Sequence, residues 1–229
     1  MFSARNAMVF LTACCLPLIV FLVAAPAARA AGKVGLYGLY MEPHNNDAED
    51  YSNAGWGGGV RLVVPAPVLG EAVAGVIGFE VINLLAEVVE VRDRYSPIRY
   101  DLHTNQNYFR FYFGGEIGGH GPAFFRPYAG LKVALVVYSI DSYLEIPDDY
   151  DPDNSVRQDL DSDTEANFGY DLTLGADLQV SKQICIDGGV RYVKSFGVPQ
   201  QLRYDAIEIH PDYFQIFLGI GISLSAIGE

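Results

Sequence analysis

The sequence predicts an all-β fold: an antiparallel, up-and-down, eight-stranded transmembrane β-barrel. Three observations lead there. First, apolar and polar residues alternate with period two through most of the chain, and successive side chains of a pleated strand leave on opposite faces. Second, the alternating runs reach the ~9–11 residues that a strand needs to cross a bilayer, where a strand in a soluble protein averages ~5–6. Third, the runs number eight, an even count, and their connections alternate between long polar and shorter segments, as in membrane barrels.

The clearest pair of runs is FGYDLTLGADLQV and ICIDGGVRYVKSF, separated by Ser181, Lys182 and Gln183. Phe168, Tyr170, Leu172, Leu174, Ala176, Leu178 and Val180 take the even positions; Gly169, Asp171, Thr173, Gly175, Asp177 and Gln179 take the odd ones. After the turn Ile184, Ile186, Gly188, Val190 and Tyr192 oppose Cys185, Asp187, Gly189, Arg191, Val193 and Ser195. A turn of that length lets Val180 face Ile184, so the apolar faces of the hairpin match. Apolar outside and polar inside is the pattern of a closed barrel in lipid.

The other strands follow in order. Residues 33–42 (KVGLYGLYME) form a first strand with weak alternation, and 43–54 a polar loop. Residues 55–64 form a second, with Trp56, Gly58, Val60, Leu62 and Val64 outward, Arg61 inward, and Pro65 and Pro67 ending it because proline donates nothing to a ladder. Residues 68–91 are rich in Ala, Leu and Glu and admit a helix by composition. Gly75, Gly78 and the β-branched content favour a strand over 76–85, with Ile77, Phe79 and Val81 outward and Glu80 inward. A polar loop over 92–106 precedes a strand over 107–117. There Phe109, Phe111, Phe113 and Ile117 face out, and Tyr108, Arg110, Tyr112 and Glu116 face in. A turn over 118–122 leads to a strand over 128–138, with Leu131, Val133, Leu135 and Val137 outward and Lys132 inward. The acidic stretch over 141–167 reads as the longest loop. After a loop over 196–211, the last strand spans 213–224. Phe214, Ile216, Leu218, Ile220, Ile222 and Leu224 face out; Tyr213, Gln215, Phe217, Gly219, Gly221 and Ser223 face in.

Size and charge narrow the function. The chain of 229 residues suits one barrel domain, and its net charge of −13 with no basic stripe excludes a nucleic-acid partner. Residues 1–30 read as a secretory signal peptide, the barrel domain taking 31–229. Arg5 is the basic start, the apolar run ends at Ala25, and Ala28-Arg29-Ala30 is an A-x-A cleavage site. An uncleaved anchor is the competing reading. Leu11-Thr12-Ala13-Cys14 resembles a lipoprotein box, but the apolar run continues past Cys14. Cleavage removes Cys14 and Cys15, so Cys185 is left without an intramolecular disulfide partner.

The chemistry-bearing residues gather on the inward face. Arg61, Glu80, Arg110, Glu116, Lys132, Asp171, Asp177, Asp187 and Arg191 are expected to form a lumen ion-pair network. An eight-stranded bore is just wide enough to be filled by side chains, and a buried charge must be paired. Asp177 falls opposite Asp187, which is unfavourable for like charges unless Arg191 or Lys132 lies between them or one is protonated. The alternate aspartates Asp149, Asp151, Asp153, Asp159, Asp161 and Asp163 resemble the start of a calcium loop. The sixth-position glycine and distal glutamate of an EF-hand are missing, so they read as a solvated outer loop. His44, His103, His120 and His210 lie in loops and turns without metal-ligand spacing, and no cofactor motif appears. The outward aromatics Trp56, Phe79, Phe168, Tyr170, Tyr192, Phe196 and Phe214 suit interfacial girdles.

On these residues, together with the RPYAGL segment at 126–131, the sequence resembles the small outer-membrane β-barrel family typified by the transmembrane domain of outer membrane protein A. The resemblance covers the chain after residue 30. It implies the outer membrane of a Gram-negative-type bacterium, contact with outer-membrane lipids, and a C-terminal signal at Gly219, Ile222 and Leu224 read by the barrel-assembly machinery. The chain departs from the pattern in running on from Ser225 to Glu229 and in lacking a peptidoglycan-binding domain after the barrel. The expected role is non-enzymatic, structural or surface-interacting, with the ligand of the loops unknown. A narrow channel for small solutes and an outer-membrane lipid hydrolase are the alternatives. A soluble lipocalin-like binder would require the opposite arrangement of faces.

Overall fold

A computed structural model describes residues 32–49, 52–66, 69, 72–92, 99–118, 123–146, 156–201 and 206–224. The signal segment over 1–30, Asp149, Asp151, Asp153, His120 and the C-terminal 225–229 lie outside the described residues.

The alternating segments form β1 (Lys33–Pro43), β2 (Gly55–Pro65), β3 (Val73–Arg92), β4 (Arg99–Gly118), β5 (Phe125–Ile146), β6 (Val156–Gln179) and β7 (Ile184–Ser195). A small hairpin of β8 (Val198–Gln201) and β9 (Ala206–Ile209) follows, and β10 (Asp212–Ser223) returns to the wall. Eight strands close an antiparallel barrel in the order β1-β10-β7-β6-β5-β4-β3-β2, with β8 and β9 forming a separate ribbon. Each wall strand therefore pairs with its neighbour in sequence, and β1 closes on β10 from Lys33–Ser223 to Pro43–Tyr213.

The faces have the predicted sense. Leu172, Leu174, Ile186 and Leu218 are 50, 64, 40 and 66% exposed, whereas Asp171 and Asp187 on the adjoining positions are 0 and 2% exposed. The lower end carries the tight turn after β6. Val180 and Ser181 donate their N–H groups to Ile184 O at 2.9 and 3.0 Å. Ser181 Oγ accepts from the N–H of Gln183 and Ile184. Gly118 ends β4 at φ +97°, and a Cβ there would lie 2.5 Å from Pro127 O, so this turn requires glycine.

Three sequence expectations are corrected. The polar stretches over 92–106 and 141–167 are largely strand: β3 and β4 are 20 residues each, β5 is 22 and β6 is 24. A crossing needs ~9–11 residues, so these four strands carry about as much again beyond the bilayer. Outside lipid a ladder needs no greasy face, which is why alternation of apolar residues fades while pairing continues from Asn83–Asn107 to Arg92–Arg99. The upper loops also hold structure: a one-turn helix α1 (Asn46–Glu49), capped by Asn45 Oδ1 accepting Ala48 N–H at 3.0 Å, and the β8–β9 ribbon. Finally, Leu62 and Val137, expected to face lipid, are 2 and 7% exposed. Both keep outward register but sit between neighbours on both sides: Leu62 between Val34 and Ile77, Val137 between Phe109 and Ala166. Leu224 lies just past the end of β10.

Candidate functional site

Six strands deliver the nine singled-out side chains to the bore: Arg61 from β2, Glu80 from β3, Arg110 and Glu116 from β4, Lys132 from β5, Asp171 and Asp177 from β6, and Asp187 and Arg191 from β7. All nine are buried. Their inward aim follows from parity alone, because each sits one residue away from an outward apolar neighbour.

Eight of the nine join in one chain of alternating sign. Asp187 contacts Arg61, and Arg61 Nη1 reaches Glu116 Oε1 at 3.3 Å. Glu116 meets Lys132 Nζ at 3.4 Å, and Lys132 meets Asp171 at 3.4 Å. Asp171 accepts from Arg110 Nη2 at 2.9 Å, and Arg110 Nε lies 3.2 Å from Glu80 Oε2, an ion pair without hydrogen-bond alignment. Glu80 then contacts Arg191, which also donates to Gln215 Oε1 at 3.2 Å. Interior members thus touch an opposite charge on both sides, which is what makes ions tolerable in a low-dielectric bore. Thr173 supports the middle by accepting from Lys132 at 2.7 Å and donating to Asp171 at 2.8 Å.

The remaining member, Asp177, pairs elsewhere. The register places it opposite Asp187, as expected. Neither Arg191 nor Lys132 separates the two. Asp177 is held by Lys33 Nζ at 2.6 Å, with Arg126 at 3.8 Å, while Asp187 is held by Arg61 and by Tyr128 Oη at 2.7 Å. Each carboxylate has its own base, so the pair needs no shared cation. Lys33 escaped the sequence reading because it reaches Asp177 only once β1 closes the ring, 144 residues away in the chain.

Tyrosines are the second missed element. Tyr37 donates to Glu80 Oε1 at 2.6 Å and shares a hydrogen bond with Tyr112 Oη at 2.8 Å. Arg110 lies 4.7 Å from the Tyr112 ring centroid, and Arg61 5.2 Å from that of Tyr128. Inward glycines make room for these rings. A Cβ on Gly78 would stand 2.3 Å from Tyr112 Cζ, and one on Gly175 would stand 2.5 Å from Tyr128 Cζ. Glycine opposite an inward tyrosine was the available sequence signal.

Above the ionic chain the bore turns apolar and phenolic. Leu39, Met41, Ile82, Leu84, Tyr108, Tyr138, Val193 and Tyr213 belong to one buried cluster with Ala48 of α1. Tyr138 bonds Ser195 Oγ at 3.2 Å, and Tyr213 shares a 3.2 Å bond with Ser52 just past α1. The helix is tied down by its flanks. Asn45 accepts from Asp212 N–H at 3.0 Å and donates to His210 O at 2.8 Å, and Asp47 accepts from His210 N–H at 2.8 Å.

The other candidates are dispersed. His44 packs edge-on against Phe214 at 4.4 Å, and His103 stacks on Tyr143 at 4.6 Å while meeting Glu145 at 3.1 Å. Asp159 pairs with Arg157 at 2.9 Å on an exposed part of β6. Among the described residues no cluster of three or more His, Cys, Asp or Glu is arranged to hold a metal. Outward aromatics pair along the rim of the short strands, Tyr40 with Trp56 and Tyr192 with Phe214, and where β6 meets the end of β7, Tyr170 with Phe196. Phe79 instead stacks on Phe111 within the wall. Gly219 faces inward at the seam, where a Cβ would lie 2.4 Å from Tyr37 Cβ, and Ile222 faces outward.

No protein-family model matches the chain, and no curated protein matches it in sequence. Its fold does match solved structures. A major outer membrane protein from Thermus thermophilus superposes with a TM-score of 0.54 at 11% identity, covering 84% of this chain and 99% of that one. Neisserial surface protein A superposes with a TM-score of 0.51 at 8% identity, covering 83% of this chain and 96% of that one. At such identity these likenesses concern the fold, and they agree with the small outer-membrane barrel architecture read from the sequence.

Proposed function

We propose that the chain is a non-enzymatic, integral outer-membrane barrel with a closed bore, which holds a protruding β-sheet and its loops at the cell surface for interaction with an external partner. The observation that carries this reading is the inversion of faces: an apolar wall around a neutralised ionic filling. Among the described residues, a chain of eight alternating charges, with a phenolic layer and α1 above it, fills the bore with buried side chains. That favours a plug over a narrow channel. The surface role is supported by the upper halves of β3 to β6. Beyond Asn83 and Gly169 they pair only among themselves within the described wall, so they stand above the barrel as a four-stranded sheet.

Lipid contact follows from the exposed leucines and isoleucines of the wall. Recognition by the barrel-assembly machinery is assigned to the last strand, through Gly219, Ile222 and Leu224. The test is conductance of refolded protein in planar bilayers. A flat trace is expected; reproducible single-channel steps would establish the channel reading instead.

A further inference from the structure

Where the tall strands leave the apolar wall, their outward face changes character within one register row. The last apolar row runs Val81–Phe109–Val137–Ala166 across β3 to β6. The next outward row is Asn83–Asn107–Ser139–Thr164, and the one above it, from β4 to β6, is Asn105–Asp141–Ser162. The lower of these two rows is wholly amide and hydroxyl. Asn83 donates to Asn107 Oδ1 at 3.2 Å, and Ser139 and Thr164 share a 3.4 Å contact. Asn83 is exposed and the other three are part-exposed. Among the described side chains of this face, apart from Asp141, the charged and aromatic groups come in the rows beyond: His103, Tyr143 and Asp159, then Asp101, Glu145 and Arg157.

We propose that this amide and hydroxyl belt is a docking surface for the sugar headgroup of a membrane glycolipid. Two observations carry it. The belt is continuous with the lipid-facing wall, so what stands against it is the polar part of the lipid whose acyl chains cover Val81, Phe109 and Val137. Its chemistry is also selective. Uncharged amides and hydroxyls both donate and accept, matching sugar hydroxyls, and the lower row presents no cation to a phosphate. On the short-strand side the same level is held by aromatics, Trp56 lying directly across the ladder from Asn83, so the belt is confined to the tall half of the barrel.

The inference rests on the barrel lying in a membrane with a glycolipid leaflet. Full-length protein is refolded into vesicles of phosphatidylcholine alone and of phosphatidylcholine mixed with digalactosyl diacylglycerol, and thermal unfolding is followed by heat-modifiable gel mobility. The glycolipid is expected to raise the midpoint by about 5 °C, the scale of one or two hydrogen bonds on a chain of this size. The double variant N83L/N107L, which swaps the amide pair for an apolar pair, is expected to lose that rise while unfolding like the parent in phosphatidylcholine. Equal midpoints in the two lipids, or a rise retained by the variant, overturns the proposal. An equal rise from free digalactose makes the ligand a soluble glycan and also overturns it. Failure to insert into either vesicle overturns the barrel reading itself.

Discussion

Replacing Glu80 by glutamine keeps the shape of the side chain and removes the charge that two arginines share. Glu80 contacts Arg191 and lies 3.2 Å from Arg110, and it is fully buried. At that separation and an effective dielectric near 20, one pair is worth about 5 kcal/mol before desolvation is counted. Arg110 retains Asp171 at 2.9 Å, but Arg191 is left with Gln215, a neutral partner. Removing one partner of a buried pair typically costs about 3–5 kcal/mol, because an uncompensated charge stays behind. We therefore expect E80Q to lower stability by about 3–5 kcal/mol in urea titrations of protein refolded into vesicles. The double variant E80L/R191M removes both charges and should recover most of that loss, since an apolar pair commonly replaces a buried ion pair without penalty. Tyr37 would still share its bond with Tyr112. A cost below about 1 kcal/mol for E80Q, the range of solvent-exposed pairs, would mean that water screens the bore and would refute the plug.

Three further outcomes follow from the same geometry. Leu174→Arg, on the apolar wall, should cost about 2–4 kcal/mol in bilayers, whereas Asn105→Arg, above the wall, should cost about 0–1 kcal/mol; comparing their urea midpoints checks where lipid ends. Gly78→Ala drives a methyl into the Tyr112 ring and should cost about 1–3 kcal/mol, with Y112L in the same chain relieving most of it, read from the midpoint of heat-modifiable mobility. The Cys185 thiol, buried at 3% exposure beside Asp177, should resist maleimide in folded protein and react on unfolding, a difference that mass spectrometry resolves.

How much of this was legible in the sequence depends on what each segment faces. Inside the bilayer the two sides of a strand meet opposite environments, so Leu172 against Asp171 or Phe111 against Arg110 writes orientation directly into the residue order. Above the bilayer neither side meets lipid, and the inward side can be polar even where it is buried, as at Gln106. Stretches such as Asn105 to Asn107 or Asp159 to Asp163 then keep their ladders without an apolar face, and they read as loop. The bore contained more than its charges revealed. Glu80 and Arg110 were placed inward by parity, and their direct pairing in register follows from the β3–β4 hairpin. Lys33 and Tyr37 are not placed by the sequence, because β1 is broken by Gly35 and Gly38; Tyr37 meets Glu80 across Gly59 of the β1–β2–β3 meander, and Lys33 meets Asp177 only on ring closure. Between Asp177 and Asp187 parity suggests Arg191 or Lys132, whereas the bases present are Arg126, directly across the β5–β6 ladder from Asp177, and Lys33 and Arg61, which reach in from β1 and β2. Contacts that span the closing seam leave no local trace in a sequence.

The inversion of faces can be read with a native probe, because Trp56 is the only tryptophan in the chain and is 72% exposed on the outer wall. In vesicles of brominated phosphatidylcholines its fluorescence should be quenched, more strongly by lipids brominated near the headgroup than by those brominated deep in the acyl chain, and aqueous iodide should have little effect. Strong quenching by iodide with indifference to both brominated lipids would put that wall in water and contradict the membrane barrel.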